Sequence, residues 1–208
     1  PHIASPDVHV NEAAGEIRMY FHGLDAYGKQ VTRVATSVDG IRFEARPEVL
    51  GRTYFRVFEH GGWYYALAMP GQFYRSRDGL TGFEMGPRRF ERDMRHCAVH
   101  KYGDCLDVYW TRVGEAPERI LRSRLDLSGD WWTWRESEPE EVLRPEHDWE
   151  GADAPLIPSI RSTAYGHVNQ LRDPAIHIDR ESGRVFLLYA VAGESGIALA
   201  EVNLDPDG

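Results

Sequence analysis

The sequence predicts an all-β fold, a β-propeller with four recognisable blades. Three observations support this: a repeated turn motif, strands that start at blade-like intervals, and no long segment with helical periodicity. The turn motif reads Ser-x-Asp-Gly followed by a phenylalanine, and it occurs at residues 37–43 and 76–83. A degenerate copy runs from Ser123 to Asp126 and on to Trp131, Trp132 and Trp134. In such a turn the Asp side chain accepts backbone hydrogen bonds, the Gly supplies a positive φ, and the aromatic residue begins the next strand.

Aromatic and β-branched runs separated by short turns give each blade the same succession of three strands. The first strands are predicted to start at Asp7, Arg56, Arg95 and Asp173, which are 49, 39 and 78 residues apart. Since a four-stranded blade takes roughly 40–50 residues, the first two intervals fit and the third contains an insertion, with residues 149–155 inside it. We therefore expect one domain over residues 1–208, with blades at approximately 4–48, 52–92, 93–140 and 141–206. A β-sandwich of similar strand count is the alternative, and the repeated turn favours the propeller.

Composition limits the classes of function. The 208 residues are 42% hydrophobic and 27% charged, as in globular proteins, and the net charge is -9. A nucleic-acid surface requires clustered positive charge, and a membrane span requires roughly 18–20 apolar residues in a run, so we expect neither kind of partner. The first ten residues lack a signal peptide and an initiator Met, so we expect a fragment or a processed chain, and both a cytoplasmic and a secreted location stay open.

Two local features concern the middle of the chain. Cys97 and Cys105 flank a predicted hairpin turn at residues 102–104. Two thiols without a disulfide are the favoured interpretation, and a cross-strand disulfide is the alternative. The acidic stretch at residues 136–141 contains Pro139 and predicts a loop rather than a helix.

Ionisable residues are concentrated where the first strand of each blade starts and where its second and third strands are joined. Because the first strand runs away from one face and the second returns to it, both places lie on the same side of a propeller. The residues concerned are Asp7, Arg56, Arg95, His96, Arg172 and Asp173 at the strand starts and His22, Glu118 and Glu194 in the loops. Charges of both signs grouped in a pocket shift one another's pKa, as acid–base chemistry requires. The alternative is that Arg172-Asp173 and Glu118-Arg119 form ordinary ion pairs between neighbouring blades.

Three short segments resemble motifs of the five-bladed propeller glycosidases of glycoside hydrolase families 43 and 32. Ser5-Pro6-Asp7 is similar to the aspartate motif of the second blade, Glu150-Gly151 to the general-acid motif, and residues 172–174 to the Arg-Asp-Pro motif of the sucrose- and fructan-cleaving relatives. The resemblance implies five blades, of which about four are present here, and three catalytic carboxylates in a funnel. The sequence departs from the family in the order of the last two motifs and in having no first-blade aspartate motif, which fits a missing N-terminal blade. Residues 95–99 and 117–120 also resemble uncharacterised members of this superfamily.

The resulting hypothesis is a glycoside hydrolase that acts on a plant or microbial oligo- or polysaccharide by carboxylate acid–base catalysis. Glu150 is the predicted acid, and Asp7 or Asp173 is its basic or tuning partner. Arg56, Arg95, Arg172, His22 and His96 are predicted to hold hydroxyls or an acidic sugar, with Glu118 and Glu194 in the same ring and Trp149 stacking on a sugar. A carbohydrate-binding propeller without catalysis is the first alternative, and a polysaccharide lyase is the second.

We expect no cofactor. The nine histidines show no zinc-type spacing, and no contiguous calcium-binding loop is present, which leaves a structural Ca²⁺ open.

Overall fold

The computed structural model describes residues 2–202, and in that range it contains fifteen β-strands, one short 3₁₀ turn and no α-helix. The strands are β1 (Ile3–Asn11), β2 (Glu16–Leu24), β3 (Gln30–Ser37), β4 (Glu44–Ala45), β5 (Arg56–His60), β6 (Trp63–Ala68), β7 (Gln72–Ser76), β8 (Glu84–Arg88), β9 (Met94–Tyr102), β10 (Cys105–Arg112), β11 (Ile120–Asp126), β12 (Glu140–Leu143), β13 (Arg172–Ile178), β14 (Val185–Val191) and β15 (Gly196–Val202). They form antiparallel sheets in the orders β1-β2-β3-β4, β5-β6-β7-β8, β12-β11-β10-β9 and β13-β14-β15. These four sheets are the blades of a β-propeller, so the predicted fold class is confirmed. No helix in residues 2–202 has the length and apolarity that a membrane span requires.

The chain divides into two compact units. Unit 1 comprises Pro1–Glu91 and Leu127–Trp134, and unit 2 comprises Arg92–Asp126 and Arg135–Gly208. Unit 1 therefore contains strands β1 to β8, and unit 2 contains β9 to β15. The single domain and the blade boundaries expected from the sequence stay a prediction.

The two full copies of the turn motif in unit 1 have the predicted chemistry. Asp39 Oδ1 accepts hydrogen bonds from the backbone N–H of residues 41 and 42 at 2.9 and 2.8 Å, and Asp78 Oδ1 accepts the same pair from residues 80 and 81 at 2.8 Å each. Gly40 and Gly79 have φ values of 72° and 70°. The backbone donors lower the pKa of Asp39, and they also lower that of Asp78 against the opposing effect of its partial burial. Each turn leads from the third strand of a sheet to the fourth.

The prediction that the degenerate third copy of the motif forms a turn was wrong. Ser123 to Asp126 all lie within β11, and the hydroxyl of Ser123 accepts a hydrogen bond from the Trp110 indole at 3.2 Å. The three tryptophans that follow belong to unit 1, where Trp131 and Trp134 are buried and Trp134 packs against Tyr65, 4.8 Å between ring centroids. Residues 123–126 share the serine and aspartate of the motif but lack the glycine that follows the aspartate in the two true turns.

In unit 2 the end of the acidic stretch is a strand, so the predicted loop was wrong for its last two residues. Glu140 and Glu141 begin β12, which pairs with β11. Their charges are compensated by arginines: Glu140 Oε2 accepts from Arg122 Nη2 and Glu141 Oε2 from Arg119 Nη1, each at 2.7 Å. Opposite charges on and just before the neighbouring strand β11 therefore compensate the two glutamates, which allows an acidic segment to be extended here.

The predicted hairpin around residue 103 is confirmed, since β9 ends at Tyr102 and β10 begins at Cys105. Cys97 lies opposite Trp110 and Cys105 opposite Tyr102, so the two cysteines are not cross-strand partners and form no disulfide. A buried cluster in unit 2, made by Ala98, Tyr109, Ile120, Leu171, Leu187, Tyr189 and Val191, packs the sheet of β9–β12 against that of β13–β15.

Candidate functional site

In or just before the first strand of each sheet lies a non-glycine residue with left-handed backbone. These residues are Ser5 (φ 53°), Tyr54 (φ 62°), His96 (φ 39°) and Asp173 (φ 46°). Pairing registers shift across three of these places: between Ala4 and Asp7, between Arg172 and Ala175, and opposite Arg95. A left-handed residue other than Gly or Asn costs on the order of 1–3 kcal/mol and is found where a side chain must be aimed. The strand starts are therefore special positions, as the charge pattern predicts.

These bulges also correct one strand boundary. β5 starts at Arg56 as predicted, and β9 and β13 start one residue earlier than predicted, but β1 starts at Ile3. Asp7 is therefore in the middle of its strand, just after the bulge, and not at its start. The prolines at positions 6 and 174 were the available signal, because proline inside a strand is typical of bulges and edges.

A buried charge cluster lies at the ends of β9 and β13 in unit 2. Glu118, in the loop between β10 and β11, has no exposed surface (0%) and lies between two buried arginines. Its Oε1 is 3.6 Å from Arg95 Nε, and its Oε2 is 3.6 Å from Arg172 Nε. The two arginines come from the first strands of neighbouring sheets, so Glu118 bridges them. The ion pairs anticipated from the sequence were Glu118-Arg119 and Arg172-Asp173, whereas the contacts found here join Glu118 to Arg95 and Arg172.

Both arginines donate their hydrogen bonds to groups other than Glu118. Arg172 donates from Nε to Gln170 Oε1 at 2.9 Å and from Nη1 to Glu194 Oε1 at 3.1 Å. Arg95 Nη1 donates to the Ile160 carbonyl at 2.8 Å. These hydrogen bonds hold the two guanidinium groups in place, whereas neither buried oxygen of Glu118 has a hydrogen-bond partner and its charge is compensated by the arginines at ion-pair distance alone.

His96 and Asp173 contact each other, and His96 also contacts Arg95 of this cluster. Asp173 Oδ1 is 3.1 Å from His96 Nδ1, and Nε2 of the same ring is 3.5 Å from Arg95 Nη2. His96 is buried, whereas the Asp173 side chain is 43% exposed. The Asp173 carboxylate therefore reaches solvent and is connected through His96 to the buried charge cluster. The partly exposed Glu194 is connected to the same cluster through Arg172.

The predicted acid Glu150 belongs to the 3₁₀ turn Asp148–Glu150 in the insertion of unit 2. It is 4% exposed, and both carboxylate oxygens accept hydrogen bonds. Oε2 accepts from the backbone N–H of Glu146 and His147 at 2.9 and 3.1 Å, and Oε1 accepts from the Tyr189 hydroxyl at 2.9 Å. Burial and the carboxylate of Glu150 raise the pKa of Tyr189 to about 12. These contacts tie the insertion to β14.

Trp149 is exposed, whereas the adjacent Glu150 is buried. The Trp149 side chain is about half exposed, and its ring stacks on His147 with 5.4 Å between centroids and 17° between planes. The left-handed Gly151 ends the turn, with Val168 O only 2.1 Å from where a Cβ would lie. The turn is therefore fixed on one side by Glu150 and presents a flat ring on the other.

Three predicted site residues belong to unit 1. Asp7 Oδ2 accepts from the Val57 N–H at 2.7 Å and contacts His9 Nε2 at 2.9 Å. Burial raises the pKa of Asp7, but the hydrogen bond and charge of His9, with Arg56 and the Val57 N–H, outweigh it, so the net pKa is lowered. Arg56 Nη1 donates to the Phe55 carbonyl at 3.0 Å and approaches the Ser5 carbonyl at 3.4 Å.

His22, the third of them, is buried beside two other rings. Its centroid is 4.6 Å from that of Tyr54 and 5.2 Å from that of His2. Burial, together with the charges of His2 and Arg56, lowers its pKa to about 4. A neutral His22 packs as an aromatic ring at neutral pH.

The structure thus joins Arg95, His96, Glu118, Arg172, Asp173 and Glu194 in one network of unit 2. Glu150 and Trp149 lie in the insertion of the same unit, and Asp7, His22 and Arg56 lie in unit 1. The roles assigned to all of them stay predictions. Sequence reasoning missed Gln170 and Tyr189. Gln170 could have been found, because it is two residues before Arg172 in an extended segment and so shares its side. Among residues 2–202, no group of three or more histidine, cysteine or acidic side chains is placed to hold a metal ion.

Comparison with known proteins shows the class of fold. No family model matches the sequence. The chain is similar to the α-L-arabinanase of Cellvibrio cellulosa complexed with arabinohexaose (TM-score 0.67, 11% identity, 100% of this chain and 76% of that one). It is also similar to a GH43_1 enzyme from Xanthomonas citri complexed with xylose (0.62, 14%, 99% and 70%) and to a thermostable family-43 glycoside hydrolase (0.61, 12%, 98% and 72%). The fold is that of the family-43 propellers, as the sequence motifs predict.

A curated relative is closer in sequence. The chain is 40% identical over 220 residues to a protein of Acanthamoeba polyphaga mimivirus described as "Uncharacterized protein R118". The match covers 96% of this chain and 61% of that protein, so the chain spans about three fifths of its relative.

Proposed function

We propose that the protein binds a carbohydrate at the end of unit 2 that carries Asp173. The observation that carries the proposal is the solvent-facing carboxylate of Asp173, which His96 contacts at 3.1 Å and thereby connects to the buried charge cluster. A fixed carboxylate accepts hydrogen bonds from sugar hydroxyls, and a small number of such fixed polar groups gives a ligand site its specificity. Trp149 adds an exposed flat ring on the same unit. Two solved structures of this fold are complexes with arabinohexaose and xylose, which supports a pentose-containing ligand.

The contacts of the other carboxylates favour binding over catalysis. Glycoside hydrolysis uses two carboxyl groups roughly 5–9.5 Å apart that both reach the scissile bond or its water. Glu150 is buried with both oxygens bonded, and Glu118 is enclosed by two arginines. Of the acidic residues predicted for the site in unit 2, Asp173 and Glu194 reach solvent.

Calorimetric titration with arabino- and xylo-oligosaccharides tests the proposal. Asp173→Asn removes the charge of the acceptor and should weaken binding about 10- to 100-fold, since a hydrogen bond to a charged group contributes about 1.5–3 kcal/mol. Asp104→Asn is the matched control, because Asp104 is exposed in the turn at the other end of β9. Equal affinity of the Asp173→Asn variant and the wild type, or no binding of either sugar by the wild type, would reject the proposal.

Hydrolysis at the same place is the second candidate. It is favoured by the accessibility of Asp173, one of the three predicted catalytic carboxylates. If the protein hydrolyses these oligosaccharides with Glu150 as acid, Glu150→Gln and Asp173→Asn should each lower kcat at least ~10²-fold. If Glu150 only anchors the insertion, Glu150→Gln should lower the melting temperature and leave kcat unchanged. Reducing-end release, measured beside thermal unfolding of the same variants, separates the two roles.

A further inference from the structure

The two arginines of the buried charge cluster are paired inside unit 2. The side chain of Arg95 is 4% exposed and that of Arg172 is 1% exposed, and Glu118 lies 3.6 Å from each. Arg95 Nη1 also donates to the Ile160 carbonyl at 2.8 Å, and Arg172 Nη1 donates to the Ser162 carbonyl at 2.9 Å. Turning either guanidinium toward a ligand would leave Glu118 as an uncompensated buried charge, so neither arginine is placed to meet an anionic ligand.

The members of the same network that reach solvent most are carboxylates. The Asp173 side chain is 43% exposed and that of Glu194 is 36% exposed, whereas the His96 side chain is 8% exposed. Glu194 Oε1 is held by Arg172 Nη1 at 3.1 Å and by the Ala164 N–H at 3.2 Å. A ligand that approaches this network from solvent therefore meets fixed negative charge.

Partly exposed arginines in the neighbouring segments of unit 2 are paired with acids of their own. Glu115 lies 3.0 Å from Arg112 and 3.3 Å from Arg119, and Arg161 lies 3.5 Å from Asp93. The surroundings thus compensate their own positive charge, and the whole chain carries a net charge of -9. Nearby pairs and long-range field both leave the negative charge of the exposed carboxylates in place.

We propose that this site selects neutral sugars and rejects sugars that carry a carboxylate, and that Glu194 determines this specificity together with Asp173. The inference rests on the proposed carbohydrate binding. Hydroxyl groups of a neutral sugar can donate to Asp173, whereas a sugar carboxylate would lie near two fixed negative charges. Specificity of this kind comes from a repulsive element built against the wrong ligand, and like charges placed side by side supply it.

Calorimetric titration with pairs of matched ligands tests the inference. The neutral ligands are α-1,5-linked arabinotriose and xylotriose; their acidic counterparts are arabinotriose with its terminal hydroxymethyl group oxidised to a carboxylate and xylotriose with a glucuronic acid branch. At low salt the acidic member of the pair that binds should have an affinity at least ~10-fold lower than the neutral member. The difference should shrink between about 0.01 and about 1 M salt, because the Debye length falls from about 30 to about 3 Å.

Glu194→Gln keeps an oxygen that can accept from Arg172 but removes the charge, so it should narrow the affinity difference at low salt. Asp104→Asn is the matched control, because it removes one charge from an exposed turn at the other end of β9 and should leave the difference unchanged. Circular dichroism checks that both variants are folded, and the salt dependence of the wild type decides if Glu194→Gln is not.

The outcomes separate this inference from the proposed function. Equal or tighter binding of the acidic ligand at low salt overturns the inference and leaves carbohydrate binding standing. A difference that salt does not change, or one that Asp104→Asn narrows as much as Glu194→Gln, overturns it as well. If neither neutral trisaccharide binds the wild type, carbohydrate binding and the inference are both rejected.

Discussion

The carboxylate of Glu118 is enclosed by Arg95 and Arg172, which are themselves buried. Removing one partner of a buried ionic group leaves uncompensated charge, which costs about 3–5 kcal/mol. Glu118→Gln should therefore lower the melting temperature by roughly 6–20 °C in a protein of this size. Glu140→Gln, which breaks the exposed pair with Arg122, should lower it by less than about 4 °C. Equal effects of the two substitutions in thermal unfolding would contradict the buried-cluster description.

The Asp7–His9 pair makes the stability of unit 1 depend on pH. Burial opposes the charge on both groups, but their mutual contact dominates, so the pKa of Asp7 is lowered from 3.8 and that of His9 is raised from 6.5. The Asp7 contribution is present above 3.8 and is lost as pH falls through its lowered value. The His9 contribution is present below 6.5 and is lost as pH rises through its raised value. Thermal unfolding of His9→Gln against the wild type should show the largest difference between these limits, with Asp104→Asn as the control. A difference that grows above pH 8 would contradict this assignment.

Residue types at strand starts were readable from the sequence, but their partners were not. The charged positions were identified from topology alone, and Arg95, Glu118 and Arg172 do meet. That Glu150 is internal could not be deduced, because its partner Tyr189 is 39 residues away and has the sequence context of an ordinary core strand. The burial of a carboxylate and its hydrogen-bond partners depend on contacts distant in sequence.

At the scale of elements, the insertion of unit 2 depends on one glycine contact. Gly151 and Gly166 both have left-handed backbone, at φ 92° and 81°. A Cβ at Gly151 would lie 2.1 Å from Val168 O, whereas one at Gly166 would meet nothing within 4 Å. Gly166→Ala should therefore cost only the backbone strain, about 1–2 kcal/mol, and Gly151→Ala should cost more because the loop must move. Chemical denaturation of both variants measures the difference, and equal losses would show that the Val168 contact is relaxed without cost.

The turns between third and fourth strands were the elements best predicted from sequence. Their hydrogen bonds are local, so Asp39-Gly40 and Asp78-Gly79 carry the full signal. The false copy at residues 123–126 had the serine and aspartate but no glycine after the aspartate, and there the pairing of β11 with β10 prevailed over the local turn tendency. The bulges at Ser5 and Asp173 depend on pairing between strands, and the prolines at positions 6 and 174 are the only local signal of them that the sequence analysis could have used.

At the scale of the molecule, the repeated turn, the blade-sized spacing of the strands and the lack of helical periodicity predicted an all-β propeller, because all three are properties of the chain itself. The fold leaves the function open, since one fold serves many sites. The central claim is therefore local: a carbohydrate binds at the end of unit 2 that carries Asp173.

A crystal structure of the protein soaked with arabino- or xylo-oligosaccharide tests that claim most directly. We predict sugar hydroxyls within hydrogen-bonding distance, about 2.5–3.0 Å, of the Asp173 carboxylate. The contact of Asp173 with His96 should be unchanged in the complex. A sugar bound elsewhere without contact to Asp173, or an unoccupied site at saturating sugar, would contradict it.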